Sequence, residues 1–296
     1  EELNLVFDEY SNDIVKNELS FYEALFYIYI KYLKKHPVKN IILEVGLGGR
    51  FDAVNVFSQP LCAITSISRD HTQILGNSLK GILEQKYGVT RVGGYLVSGV
   101  EQGLLIKELR NWCTRDEVSL KQMNFSEDIY YFERNQQIAL ELYKKSGGVL
   151  EKPTCWPVSK GRREKVTFRQ RDFIFIGAHN LDGHQKMLTY LADEFKNKSV
   201  VSVLSFSTGR EEQVEFILRL YDSYPCLVDQ NFVTNFQGDR SIDNSKLESL
   251  LLKDSIFELD WNRFLSEEFK HKTIVISGSY FFISKFQEFL SSCGDI

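Results

Sequence analysis

Residues 43–57 read LEVGLGGRFDAVNVF. The apolar run Ile41, Ile42 and Leu43 predicts a strand over 40–45, and that strand delivers the carboxylate of Glu44 onto a turn carrying Gly46, Gly48 and Gly49. Arg50, Asp52 and Asn55 follow at the exit of the turn. Glycine after a strand lets the backbone take positive φ and approach a ligand closely. Open α/β sheets bind ligands beyond the carboxyl ends of their strands. A carboxylate in that place suits a hard cation, commonly Mg2+ shared with phosphate oxygens. The plain alternative is a glycine turn beside a solvated Glu.

Working outward, strand and helix patterns alternate, which predicts an α/β chain with crossover helices. Leu19 to Lys35 has few polar positions and predicts a long helix covered on most sides, stopped by His36-Pro37. After the glycine turn the pattern predicts a strand at 61–67, a helix at 78–87, a strand near 95–99 and a helix near 101–113. Ile129 to Phe132 reads as a strand, and Asn135 to Lys145 as a helix ended by Gly147-Gly148. The segment 147–163, with Pro153 and Pro157, has the composition of a linker. The domain boundary is therefore expected near Lys160, giving 1–160 and 161–296. Beyond it, strands are expected at 173–176, 200–206 and 273–277, and helices at 181–195, 211–221 and 280–291.

Composition limits the function classes. The chain has 296 residues, 43% hydrophobic and 26% charged, with a formal net charge of −4. That balance gives no reason to expect nucleic acid or an anionic membrane as a partner. The apolar stretch around Phe21 to Tyr32 is interrupted by Glu23 and Lys31 and is too short to span a bilayer. The five cysteines are scattered singly, which fits thiols in a reducing, cytoplasmic compartment.

The glycine run is similar to the signature of the folylpolyglutamate synthase and dihydrofolate synthase family, relatives of the ligases that add amino acids to murein precursors. The similarity continues in order. AITSISRDHTQI at 63–74 ends in Asp70-His71-Thr72, like the family's strand into Asp-His-Thr. Lys86 in EQKYGV stands where the family has Glu-Lys-Ala-Gly-Ile. Asn135 in RNQQIAL resembles the opening of its Asn-Ala-Ala-Leu-Ala helix. Gly161-Arg162 and Glu164 resemble its Gly-Arg-x-Glu, FIGAHN at 175–180 its Asp-Gly-Ala-His-Asn, and IVISGSY at 274–280 its last strand with Gly-Ser. There are departures. No G-x-x-x-x-G-K-[ST] occurs, a loop the family carries on its first strand upstream of where this sequence starts; a segment cut away or a natural remnant would each explain that. Ile176 replaces the family's Asp, Leu181 its Pro, and Ser207-Thr208-Gly209-Arg210 its Asp-Lys-Asp.

The resemblance implies a Mur-ligase-like central ATPase domain lacking its first strand and phosphate loop, followed by a Rossmann-like glutamate-ligase domain. It implies a monomeric enzyme that adds L-glutamate to folate or dihydropteroate, using ATP and Mg2+. The γ-phosphoryl group passes to the folate carboxylate, and the glutamate amine then attacks the acyl phosphate. Glu44 and His71 become metal ligands in this scheme, although a core or capping role for His71 is the alternative. Lys86 matches a lysine that is carbamylated in these ligases, an ordinary surface lysine being its plain alternative, and Tyr87 stands where the family has a small residue, which would crowd its pocket. Asn135 and Arg162 would contact nucleotide; a helix N-cap and a solvated linker charge are their plain alternatives. His179, Asn180 and Ser279 would bind glutamate or phosphate near a helix N-terminus. A competing expectation is a degenerate, non-catalytic homologue that binds folate or a partner. A murein ligase fits the glycine run less well.

Overall fold

The computed structural model describes residues 2–126, 129–149, 156, 159–196 and 198–294. Two compact units divide the chain, Glu1–Val149 and Leu150–Ile296. The boundary expected near Lys160 lies a little way into the second unit, and residues 150–155, 157 and 158 of the expected linker lie outside the described residues.

The first unit opens with helices α1 (Glu2–Lys16) and α2 (Phe21–Lys35). Ser20 and Glu23 close a capping box at the start of α2, each side chain satisfying the other's backbone N–H. Then come β1 (Leu61–Ile64), a single turn α3 (Thr72–Leu75), α4 (Leu79–Tyr87), β2 (Tyr95–Ser98), α5 (Gly103–Arg115), β3 (Ser119–Gln122) and α6 (Tyr131–Lys145). The strands form a parallel sheet in the order β1-β2-β3. Ile64, Leu96 and Val100 from the sheet side pack on Ile82 and Leu83 of α4 and Leu109 of α5.

Three expectations are corrected in this unit. Residues 40–45 are not a strand, and Ile42 is 95% exposed, because an extended segment needs a neighbouring ladder to accept its N–H and C=O groups. Helix α2 is not covered on most sides: Ile28 is buried, while Phe21 is 81% exposed. Tyr131-Phe132 belong to α6 and the third strand is Ser119–Gln122; a short apolar run at 129–132 has no periodicity to separate strand from helix.

The second unit contains β4 (Arg162–Phe168), β5 (Arg171–Ile176), α7 (Leu181–Glu194), β6 (Val200–Ser205), α8 (Glu211–Asp222), β7 (Val228–Val233), α9 (Asn244–Ser249), β8 (Ser255–Phe257), β9 (Thr273–Gly278) and α10 (Tyr280–Ser292). Arg162 thus begins a strand rather than lying in a linker. The sheet order is β4-β5-β9-β6-β7-β8, with β4 antiparallel to β5 and the other pairs parallel. Alternation along the strands sends Phe173, Phe175, Val201, Val203, Ile274 and Ile276 to one face, where Phe282 and Phe286 of α10 cover them. The opposite face carries Ser202 and Ser277 beside Tyr221 of α8. Helices therefore leave β5 and β9 toward opposite faces of the sheet. Neighbouring strands whose helices diverge leave a crevice at their carboxyl ends.

Candidate functional site

In the first unit the glycine run is a tightly stapled loop. Asp52 accepts from Leu47 N at 2.9 Å and from Val54 N at 3.0 Å, so its carboxylate closes the turn on itself. The Tyr22 hydroxyl lies 3.4 Å from Asp52 Oδ1 and 3.5 Å from the Glu44 carbonyl oxygen, which ties α2 to the same loop. Gly49 is forced: its φ is +148°, and a Cβ there would lie 2.9 Å from the Gln85 carbonyl oxygen. Arg50 N donates to that carbonyl at 2.8 Å. The turn is thereby docked on the last turn of α4, one residue from Lys86.

Lys86 is half-buried. Burial lowers its pKa below the ordinary lysine value, and the nearby Asp70 carboxylate acts in the opposite sense. His71 precedes α3 in the left-handed region, at φ +50°, and makes no side-chain cap; its Nε2 lies 3.9 Å from Asp70 Oδ2. Leu75 at the end of α3 would be 3.0 Å from a Cβ on Gly48. The glycine turn, the His71 turn and the Lys86 helix therefore meet at Gly48 and Gly49. Tyr87 does not crowd the lysine: it is buried against Trp112 and donates to Asp116 at 3.0 Å. A cavity of about 400 Å3 opens beside the turn, lined among others by Tyr22, Gly48, Phe51, Asp52, Leu75 and Gln85.

Glu44 is exposed and presents a hard oxygen donor. Among the described residues no group of three or more His, Cys, Asp or Glu side chains is placed to hold a metal ion. One or two protein ligands, with phosphate oxygens and water completing the shell, is the usual arrangement for Mg2+. The chemistry of a lone carboxylate such as Glu44, or of one imidazole such as His71, suits such an open shell rather than a closed protein cage. Asn135 is exposed within α6, whose N-cap is Tyr130, so it does not open the helix.

In the second unit three of the residues singled out from sequence come together. His179 and Asn180 follow β5, and Ser279 follows β9, the strand paired with it. Asn180 is buried and caps α7, accepting from Gly183 N at 2.8 Å. Ser279 is buried and caps α10, accepting from Phe281 N at 3.3 Å. Gly278 lets the ends of β9 and β6 close up: its φ is +114°, and a Cβ would sit 2.0 Å from the Ser205 carbonyl oxygen. Ser207, just beyond β6, donates its hydroxyl to Ser279 Oγ at 2.8 Å. Tyr280 lies against Gly177, with the His179 ring at 6.3 Å between centroids and the Arg162 guanidinium at 5.4 Å from its ring.

The departures also have places. Ile176 is buried in the sheet, where the family's carboxylate is replaced by core contact. Leu181 keeps a backbone N–H that proline would lack, and it donates to Gln213 Oε1 at 3.3 Å. His184, not anticipated as a special residue, is fully buried with Nδ1 2.9 Å from the Tyr221 hydroxyl. Burial lowers its pKa to about 3, with His179 adding to the effect, so the imidazole stays neutral.

No family model matches the chain. It is 34% identical over 96 residues to the dihydrofolate synthase/folylpolyglutamate synthase of Bacillus subtilis, a match covering 32% of this chain and 22% of that protein. In that match the chain spans less than a quarter of the relative's length. It is 24% identical over 316 residues to the dihydrofolate synthetase of Saccharomyces cerevisiae, covering 88% of this chain and 73% of that protein. The fold is similar to that of the Yersinia pestis bifunctional folylpolyglutamate synthase/dihydrofolate synthase solved with AMPPNP and manganese. There the TM-score is 0.75 at 21% identity, over 92% of this chain and 72% of that one. The folylpolyglutamate synthase of Thermotoga maritima gives a TM-score of 0.74 at 20% identity, over 99% of this chain and 76% of that one. At 20–21% identity the likeness is one of fold, an α/β architecture shared with these synthase structures. The relatives that the chain resembles in sequence are dihydrofolate and folylpolyglutamate synthases.

Proposed function

We propose that this chain serves an enzyme that adds L-glutamate to a folate or to dihydropteroate at the expense of ATP. The observation that carries the reading is the convergence of His179, Asn180, Ser207 and Ser279 at the carboxyl ends of β5, β9 and β6. The named relatives support the reaction type.

Roles follow from the chemistry of each side chain. Glu44 and His71 would hold Mg2+, which when bound neutralises phosphate charge during phosphoryl transfer. Lys86, half-buried with a lowered pKa, has an amine more available to CO2 than an ordinary lysine; as a carbamate it would add an anion beside that cation. The cavity beside the glycine turn takes the folate, with Tyr22 and Phe51 offering ring faces. Asn135 reads an adenine edge, and Arg162 pairs with phosphate oxygens through its planar fork. His179 and the α7 amides, with Ser279, hold the amino acid so that its amine meets the acyl phosphate. A monomer working in the cytoplasm completes the reading, supported by free thiols at Cys62, Cys113, Cys226 and Cys293. Among the described residues no helix is long and apolar enough to cross a membrane.

The buried Ile176 favours a second reading, a non-catalytic homologue that binds folate or a partner. One assay separates the two. ADP release is measured on the product of the whole reading frame and on the 296-residue chain, with dihydropteroate or tetrahydrofolate, with and without L-glutamate. Release that needs both substrates supports the ligase; folate binding without release supports the other reading. The 296-residue chain, whose sequence has no phosphate-binding loop, is expected to be slower by orders of magnitude.

A further inference from the structure

Two consecutive aromatic rings in the first turn of α10 each carry an arginine from a different part of the second unit. Arg162, at the start of β4, lies 5.4 Å from the Tyr280 ring centroid. Arg240, in the loop after β7, lies 4.3 Å from the Phe281 ring centroid. The Arg240 loop is stitched to the end of β6. Thr208 N donates to the Arg240 carbonyl at 2.9 Å, Ile242 N donates to the Phe206 carbonyl at 3.2 Å, and Ser207 and Ser241 form an antiparallel bridge. The same two segments hold the Ser207–Ser279 hydroxyl pair, since Ser207 precedes Thr208 and Ser279 precedes Tyr280. The backbone of Arg240 is thus held beside the end of β6, with its guanidinium against Phe281, two residues after Ser279. Among the described residues no carboxylate is ion-paired with Arg240.

A guanidinium 4.3 Å from a ring centroid, with no carboxylate paired to it among the described residues, has N–H donors to offer, and an arginine fork meets a carboxylate with two parallel hydrogen bonds. An α-carboxylate is common to every amino acid and is already served by helix amides and the hydroxyl pair. A separate cation beyond that pair has a use where the ligand carries a second carboxylate. We propose that Arg240 is a specificity-determining residue that takes the side-chain carboxylate of a dicarboxylic amino acid bound at this crevice. This rests on the glutamate reading above and names a residue of the same site.

The test uses the product of the whole reading frame. Arg240→Met keeps an apolar stem on Phe281 and removes the charge; Arg240→Lys keeps the charge and loses the fork. Steady-state constants are measured for L-glutamate, L-glutamine and ATP, and thermal stabilisation by L-glutamate is measured without ATP. Arg240→Met is expected to raise the KM for glutamate about 10-fold or more, in the range of a lost charge-assisted contact. Its kcat and its KM for ATP should stay within about 2-fold of wild type, and the preference for glutamate over glutamine should fall with the KM change. Arg240→Lys should lie between. A folded Arg240→Met protein with the wild-type KM and the wild-type preference overturns the assignment. A wild type without glutamate-dependent turnover would instead sink the ligase reading, and the thermal arm then decides. Stabilisation by glutamate that vanishes in Arg240→Met upholds the role of Arg240, and no stabilisation in the wild type overturns it.

Discussion

Glu44 stands out in the sequence because of its glycine run, whereas Lys86 stands out only through the family resemblance, an ordinary surface lysine being its plain alternative. In the structure the glycine turn docks on α4 one residue from Lys86. Glu44→Gln keeps shape and removes charge, so it should cut turnover about 100-fold, the scale of one positioned electrostatic group. It should also raise the magnesium needed for half-activity while leaving the melting temperature unchanged. Normal activity across a magnesium titration would reduce Glu44 to a turn residue. Lys86→Ala should abolish ligation, with partial return on adding a short carboxylic acid such as acetate, because the missing anion is what the small acid restores. Absence of any rescue would argue against a carbamate. His184 was within reach of the sequence and was missed: with Met187, Leu188 and Leu191 it completes an inward stripe at helical spacing. Its consequence is a pH dependence of stability. The unfolded chain takes up a proton on this imidazole below about pH 6.5, whereas the buried form stays neutral down to about 3. Stability contributed by neutral His184 is therefore present above the unfolded pKa and is lost as pH falls, at up to about 1.4 kcal/mol per pH unit. Denaturant melts of wild type and His184→Gln between pH 7 and pH 4 check this, and equal slopes would refute it.

At the scale of elements, long periodic helices such as α7, α8 and α10 were legible to within a residue or two. Strands were harder. β3 and β4 alternate exposed and half-buried residues and carry charge, so their identity comes from the neighbours they pair with rather than from an apolar run. Residues 40–45 show the converse, an apolar run without a ladder. The candidate residues of the second unit come from motif resemblance, while the Ser207 contact does not, since the sheet order β5-β9-β6 brings that loop to Ser279. The glycine turn supplies a test of its own. Gly49→Ala must accommodate a Cβ against the Gln85 carbonyl at a left-handed φ, which should cost about 2 kcal/mol and shift Lys86. Urea unfolding with an undiminished midpoint would show that the turn can move aside.

On the scale of the whole molecule, each unit has its own sheet and its own buried cluster, the first built on Leu83, Leu96 and Leu109, the second on a nest of phenylalanines. The second unit, with its six-stranded sheet, is expected to fold when expressed by itself, giving a dispersed amide spectrum and one cooperative melt. A collapsed spectrum would mean that its core needs the first unit. The unpaired residues Asn40 to Val45 carry a hazard of a different kind. Ile41 and Ile42 lie open to water, and among the described residues no strand pairs with the outer side of β1. Backbone groups that no strand pairs among the described residues, next to bare isoleucines, are what a second molecule in the same condition can zip onto. Lys39 and Glu44 bracket Asn40 to Leu43 as charged gatekeepers, and no charge lies between them. This polypeptide should accordingly be prone to inclusion bodies and to turbidity on concentration, and a lysine in place of Ile42 should clear the solution without lowering the melting temperature.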